Sequence, residues 1–191
     1  MAASGGHRVV LIGPPGVGKG TLCRDLSTRW SVPHLSTGAM LRSAAAAGDL
    51  PDGLAEHIAG GGFAPDDLIL EMIGRRLDAD DCSGGYLLDG FPRTLVQAER
   101  FNDALRDRDR RLDHVFWLAA PHQVLVDRLH RRAATEDRDD DDRAAIGRRL
   151  DVYEERTRPV VDYYESLGLV RPIDAWGPPE EVLVAVLRAT E

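Results

Sequence analysis

The stretch Leu11–Thr21, LIGPPGVGKGT, sets a glycine-rich turn behind an apolar run and closes on Lys, Gly and Thr. Glycines let successive backbone N–H groups turn toward phosphate oxygens, and a helix opening at Lys19 adds its positive dipole end. The usual phosphate loop reads Gly, four residues, Gly-Lys, then Ser or Thr directly. Gly13 and Gly18-Lys19 keep that spacing, but Gly20 intervenes before Thr21. Lys19 is also the only lysine, so the 24 Lys and Arg residues comprise it and 23 arginines. Arginine's planar fork suits phosphates approached from outside. Lysine's compact charge on a flexible stem reaches between β- and γ-phosphates inside a tight loop. This site has kept the cation that fits it.

Asp89 ends the apolar run Tyr86–Leu88, a place where a carboxylate can hold Mg²⁺-bound water or cap a helix. The cap is the weaker reading, because Gly90-Phe91-Pro92 follow. Arg42 and Arg93 fall at strand-to-helix junctions, where ligands of open α/β sheets bind, though either suits a surface ion pair as well. Arg131–Asp142, RRAATEDRDDDD, has no apolar period and by composition is a solvated charge run. Cys23 and Cys82 are too few for a disulfide framework and lack metal-ligand spacing, which leaves two reduced thiols.

These residues need elements to hold them. Five short apolar runs, at 9–12, 34–35, 86–88, 115–118 and 169–173, alternate with helical patterns at 19–30, 37–47, 94–105, 122–132 and 178–189. That rhythm predicts an α/β fold with a five-stranded parallel sheet and helices on both faces. Helical stretches at 54–59 and 66–77 fall off the rhythm and imply a small helical insertion after the second strand. One long helix is expected from about 141 to 166. A chain of 191 residues suits a single domain, and a net charge of −8 argues against nucleic acid as a partner. The first apolar run is too short for a signal peptide or membrane span, so a cytoplasmic protein with no membrane partner is expected.

GPPGVGKGT resembles the phosphate loop of nucleoside monophosphate kinases, adenylate kinases above all. The likeness continues through HLSTGAMLR (34–42), GYLLDGFPRTLVQAE (85–99), DRLHRR (127–132), DRDDDD (137–142), RRLDVYEERTRPVVDYY (148–164) and DAWGPPEEV (174–182). These blocks span essentially the whole chain in order. The resemblance implies a single P-loop kinase domain transferring phosphate from MgATP to AMP. Its core would be 1–36, 66–130 and 139–191, with an acceptor-nucleotide subdomain at about 37–65 and a lid at about 131–138. So short a lid, without cysteine, has no structural zinc. A UMP/CMP kinase and a catalytically weakened nucleotide-binding protein are the alternatives.

The resemblance also distributes roles. Gly16, Val17, Gly18, Lys19, Gly20 and Thr21 hold ATP phosphates, with Arg128 and Arg132 as donor-phosphate arginines and backbone near Gly177 on the donor base. Arg42 and Arg93 clamp the acceptor phosphate, while Thr37 and Gln97 read the acceptor base and favour AMP. Gly62, Phe63 and Ala64, with Gly90, Phe91 and Pro92, border the acceptor nucleotide. Arg138 and Arg149 meet the transferred phosphoryl group, and Lys19, Arg93, Arg132, Arg138 and Arg149 form the catalytic set. Asp89 holds Mg²⁺ through water. Arg131, Arg143 and Arg148 remain solvated charges. Ala39 departs from the family's Asp or Glu, and Phe63 is bulkier than its usual aliphatic residue. The substrates would be ATP, AMP and ADP, and a monomer is expected.

Overall fold

The apolar runs become five parallel strands: β1 (Arg8–Ile12), β2 (His34–Ser36), β3 (Tyr86–Asp89), β4 (His114–Ala119) and β5 (Val170–Asp174). Their order is β2-β3-β1-β4-β5. The computed structural model describes residues 7–60, 62–135 and 143–190. Helices are α1 (Lys19–Trp30), α2 (Thr37–Ala47), α3 (Leu54–Ala59), α4 (Asp66–Leu77), α5 (Leu95–Arg106), α6 (His122–Thr135), α7 (Arg143–Val152), α8 (Arg158–Ser166) and α9 (Pro179–Arg188).

The central strand explains why its sequence is apolar without alternation. Val10 and Ile12 face a core shared with α4, α5 and α8. Val9 and Leu11 face a second core shared with α1, α6 and α9. Successive side chains point to opposite faces, and with both faces covered every position must be apolar. All four are at most 2% exposed.

Strand order fixes where chemistry can occur. From β1 the chain crosses to β2 and β3 on one side, then returns past β1 to β4 and β5 on the other. The crevice outside the carboxyl ends of β1 and β3 is therefore the topological switch point, the place where open α/β sheets bind ligands. The loop after β1 carries Gly13–Gly18, and β3 ends on Asp89, whose register partners are Leu11 and Ser36.

The insertion is thinly anchored. α3 buries no residue fully, and only Leu54 and Ile58 pack against the core. Glycine caps loosen its edges: Gly48 ends α2 and Gly53 opens α3, both left-handed.

One helix differs from expectation. The stretch expected to be continuous to Ser166 comprises α7, a five-residue π-helical turn at Tyr153–Thr157, and α8. Pro159 supplies the reason. It lacks an N–H, and its ring would clash with the carbonyl four residues back, so a straight α-helix cannot pass through it. A widened turn absorbs the mismatch, and such turns recur at functional sites.

Candidate active site

The loop after β1 is held from below. Val17 is 3% exposed and belongs to the core, so the turn cannot swing outward. Gly16 has φ +82°, and a Cβ there would lie 2.9 Å from the Leu125 carbonyl oxygen and from the Leu129 side chain. Only glycine permits this approach to α6. Lys19 curls back and donates from Nζ to the carbonyls of Gly13 (2.7 Å) and Pro14 (3.1 Å). Burial pulls its pKa down to about 8. Asp89 opposes that pull, while Arg93 and Arg149 add to it. Gly20 lies across from Asp89: a Cβ there would stand 3.5 Å from Oδ2. That is ordinary contact, so packing alone does not demand the glycine. Its absent side chain leaves the approach to the carboxylate open. The hydroxyl of Thr21 accepts from Arg24 Nη2 at 3.2 Å.

Asp89 is the anionic centre. Burial works to raise its pKa, but the hydrogen bond from His34 and the charges of Lys19, His34 and Arg93 outweigh it. The carboxyl is therefore held below the usual carboxylate range. His34 Nε2 lies 3.2 Å from Asp89 Oδ2 and fixes the carboxylate's direction. Residue types gave His34 no signal, since a histidine in a short strand is ordinary.

Gly90 organises the loop after β3. At φ +76° its missing Cβ would fall 2.7 Å from Arg93 Nη2 and 2.9 Å from Thr37 Oγ1. Its carbonyl accepts from both, from Arg93 Nε at 2.7 Å and Thr37 Oγ1 at 2.8 Å. Thr37 is buried, and its single hydroxyl proton is committed to that carbonyl. Gln97 is 2% exposed and oriented at both ends. Its Oε1 accepts from Arg93 N (2.8 Å) and its Nε2 donates to Asp66 Oδ1 (2.7 Å). Asp66 also accepts from Thr94 Oγ1 at 3.1 Å, and that oxygen caps α5 by accepting from Gln97 N. Asp66 is a positioning residue that the sequence conceals, because an acidic residue in the first turn of a helix is commonplace.

The π turn reaches the same loop. Thr157 is 6% exposed and donates to the Arg93 carbonyl at 3.0 Å. Phe63 lies between two cations, with Arg93 Cζ 5.6 Å and Arg156 Cζ 6.0 Å from its ring centroid. Its bulk thus serves as a platform beside Arg93. Ala64 is buried in the core, and Gly62 packs so tightly on the His57 ring that no Cβ fits between them. Phe91 and Pro92 are joined by a cis peptide and both are buried. Phe91 sits edge-on to Phe101 at 5.1 Å, so it anchors the loop in the core.

The cations converge on this edge. Arg149 is half-buried, and its charge acts on Lys19 and Arg93. Arg42, on the first turns of α2, is exposed and acts on Arg93 as well. Arg132 is half-buried in the last turn of α6. Arg128 spends its donors on backbone, reaching the carbonyls of Ala175 (2.7 Å), Trp176 (3.2 Å), Gly177 (3.3 Å) and Val17 (3.4 Å). It ties the phosphate loop to the loop that carries Gly177. Trp176, 62% exposed on that loop, is an aromatic face that sequence reasoning passed over. Arg138 lies outside the described residues. Arg148, expected to be only a solvated charge, donates to the Gly60 carbonyl at 3.4 Å and bridges α7 to the insertion.

Linear spacing shows no metal motif around either cysteine, but the fold assembles one cluster. Cys23, His34 and Asp89 bring ligand atoms within 4.8 Å of one another. They come from α1, β2 and β3, which only the crossover brings together.

A family model described as adenylate kinase matches residues 11–169, from the end of β1 to the start of β5. The chain belongs to the adenylate kinase family. It is 48% identical over 168 residues to an adenylate kinase of Rhodopirellula baltica, covering 88% of this chain and 86% of that one. It is 42% identical to one from Thermobifida fusca, covering 95% and 97%. A third relative, from Moorella thermoacetica, is 39% identical over an alignment of 210 positions, longer than this chain of 191, so that adenylate kinase carries insertions absent here. The match takes in the phosphate loop, Asp89, the Arg93–Gln97 segment and the α7–α8 rod. Among the described residues no helix is long and apolar enough to cross a membrane.

Proposed function

We propose that this chain catalyses reversible phosphoryl transfer from MgATP to AMP, giving two ADP. One observation carries the reading: the only lysine, an ionised Asp89 and the arginines 93 and 149 converge at the switch point beside a buried, doubly oriented Gln97. Phosphoryl transfer demands little covalent chemistry from the protein, so positioning and charge neutralisation dominate. The groups present are suited to those tasks, and none is arranged as an activated nucleophile.

Lys19 and the loop N–H groups of residues 16–21 hold the donor phosphates. Arg42 and Arg93 hold the acceptor phosphate, with Arg132, Arg138 and Arg149 supplying positive charge to the group in transfer. Thr37 reads the base. Because its proton is committed to Gly90, its oxygen can only accept, and it favours an exocyclic amine over a carbonyl. Adenine has that amine; guanine and uracil have carbonyls at the corresponding edge. Gln97 keeps one N–H and one lone pair for the same base.

Mg²⁺ bound at this site would supply neutralisation of phosphate charge. Asp89 suits its water shell, being ionised and facing the side-chain-free Gly20. Residues 37–65 are read as an acceptor subdomain and 131–138 as a short lid; closure of both excludes water and with it wasteful hydrolysis. The relatives that align without long insertions support the short lid. A cytoplasmic monomer fits the acidic surface and the family.

A coupled assay with MgATP and each of AMP, GMP, CMP and UMP tests the reading. Turnover with AMP at least tenfold above the others is expected; a pyrimidine acceptor outrunning AMP contradicts it.

A further inference from the structure

Cys23, His34 and Asp89 form a cluster of three chemically different ligands. Their donor atoms all lie within 4.8 Å of one another, and the His34–Asp89 edge is 3.2 Å. Around a tetrahedral zinc-type ion, with bonds of roughly 2.0–2.3 Å, ligand atoms sit about 3.3–3.8 Å apart. The cluster thus needs a contraction of at most about 1–1.5 Å on its longest edge. His34 and Asp89 have side chains 20% and 13% exposed, so an ion enters past them while Cys23 closes the floor, 0% exposed. Three protein ligands and an open side complete a four-coordinate site with one water.

We propose that Cys23, His34 and Asp89 bind a borderline-soft divalent cation of the Zn²⁺ class, and that its binding takes Asp89 out of service. The ligand set decides the class. Mg²⁺ requires oxygen donors in octahedral geometry and finds one carboxylate here, whereas thiolate and imidazole select softer ions. Thiolate and carboxylate together carry two negative charges, which neutralise the dication. Ligation by sulfur takes the thiolate, so the metal displaces the Cys23 proton: one Cys–S–H bond breaks, one metal–sulfur bond forms, and one proton leaves to solvent. Binding also breaks the His34–Asp89 hydrogen bond and draws the carboxylate away from Gly20. The binding stands on geometry alone; the consequent inhibition rests on the phosphoryl-transfer reading.

Ligand-free protein titrated with Co²⁺ tests the site. One ion per chain is expected, with a thiolate-to-cobalt charge-transfer band in the near ultraviolet that is absent from Cys23→Ala and retained in Cys82→Ser. Zn²⁺ competing against a chromophoric chelator is expected to bind Cys23→Ala and His34→Gln at least about tenfold more weakly than wild type. Circular dichroism on each variant checks the fold. Zn²⁺ is also expected to inhibit the wild type at saturating MgATP but not Cys23→Ala, whose basal turnover matches wild type. A cobalt complex without the band, or unchanged Zn²⁺ affinity in Cys23→Ala, overturns the site. Binding with the full signature but no inhibition keeps the site and overturns the role given to Asp89.

Discussion

Burial makes the charged form of Lys19 costlier than it is in water. Its ammonium is charged at neutral pH, yet burial has brought its pKa to about 8 from the ordinary 10.5. Between those values the folded, ligand-free chain binds fewer protons there than the unfolded chain, so Lys19 makes stability rise with pH across that window. On the proposed reading, donor phosphates offset that cost. ATP binding is therefore expected to take up a proton above pH 8 and to weaken as pH rises, read by calorimetry in two buffers of different ionisation enthalpy. Lys19→Met is expected to lose that uptake and nearly all turnover while keeping its circular dichroism. Activity within a few-fold of wild type would remove the lysine from the mechanism. Thr37 offers a finer test. On the proposed reading its oxygen, able only to accept, discriminates amine from carbonyl, a contact of about 1–2 kcal/mol. Thr37→Ala is expected to narrow the AMP-over-GMP ratio of kcat/KM by about tenfold.

At the scale of elements, much was legible because local pattern and global fold agree. The apolar runs and glycine stops defined all five strands to within a residue or two, most sharply the central β1 and β3, since a strand buried on both faces has no choice of composition. The loop at Gly13–Thr21 was legible for the same reason: backbone geometry restricts its residue types. Asp66, His34 and Thr157 were not. Each is a common residue in a common place, and its importance comes from a partner 31, 55 or 64 residues away. The π turn escaped too, although Pro159 marks where a straight helix must fail. That turn delivers Thr157 to the Arg93 carbonyl, and so ties the α7–α8 rod to the loop after β3. Thr157→Val keeps the volume and removes the hydrogen bond. It is expected to raise the KM for AMP several-fold with a smaller change in kcat, and steady-state kinetics at saturating ATP will measure both. Equal loss in the two parameters would mean that the turn acts on the reacting group itself.

For the whole molecule, the parallel sheet supplies a rigid floor and the insertion a weakly anchored wall. Arg148 reaching the Gly60 carbonyl links that wall to the rod. Arg138 stands outside the described residues and rests on family likeness. An arginine supplied to a phosphoryl group in transfer is worth about 10³-fold in kcat. Arg138→Ala is expected to lower kcat by that order while leaving ATP affinity by titration within a few-fold. The central claim is transfer between nucleotides with water excluded. Phosphorus NMR of MgATP and AMP with the purified protein follows every species at once. The account predicts that ADP grows at the joint expense of ATP and AMP until the three reach equilibrium, with no inorganic phosphate accumulating. Inorganic phosphate rising in step with ADP, with AMP unchanged, would contradict it.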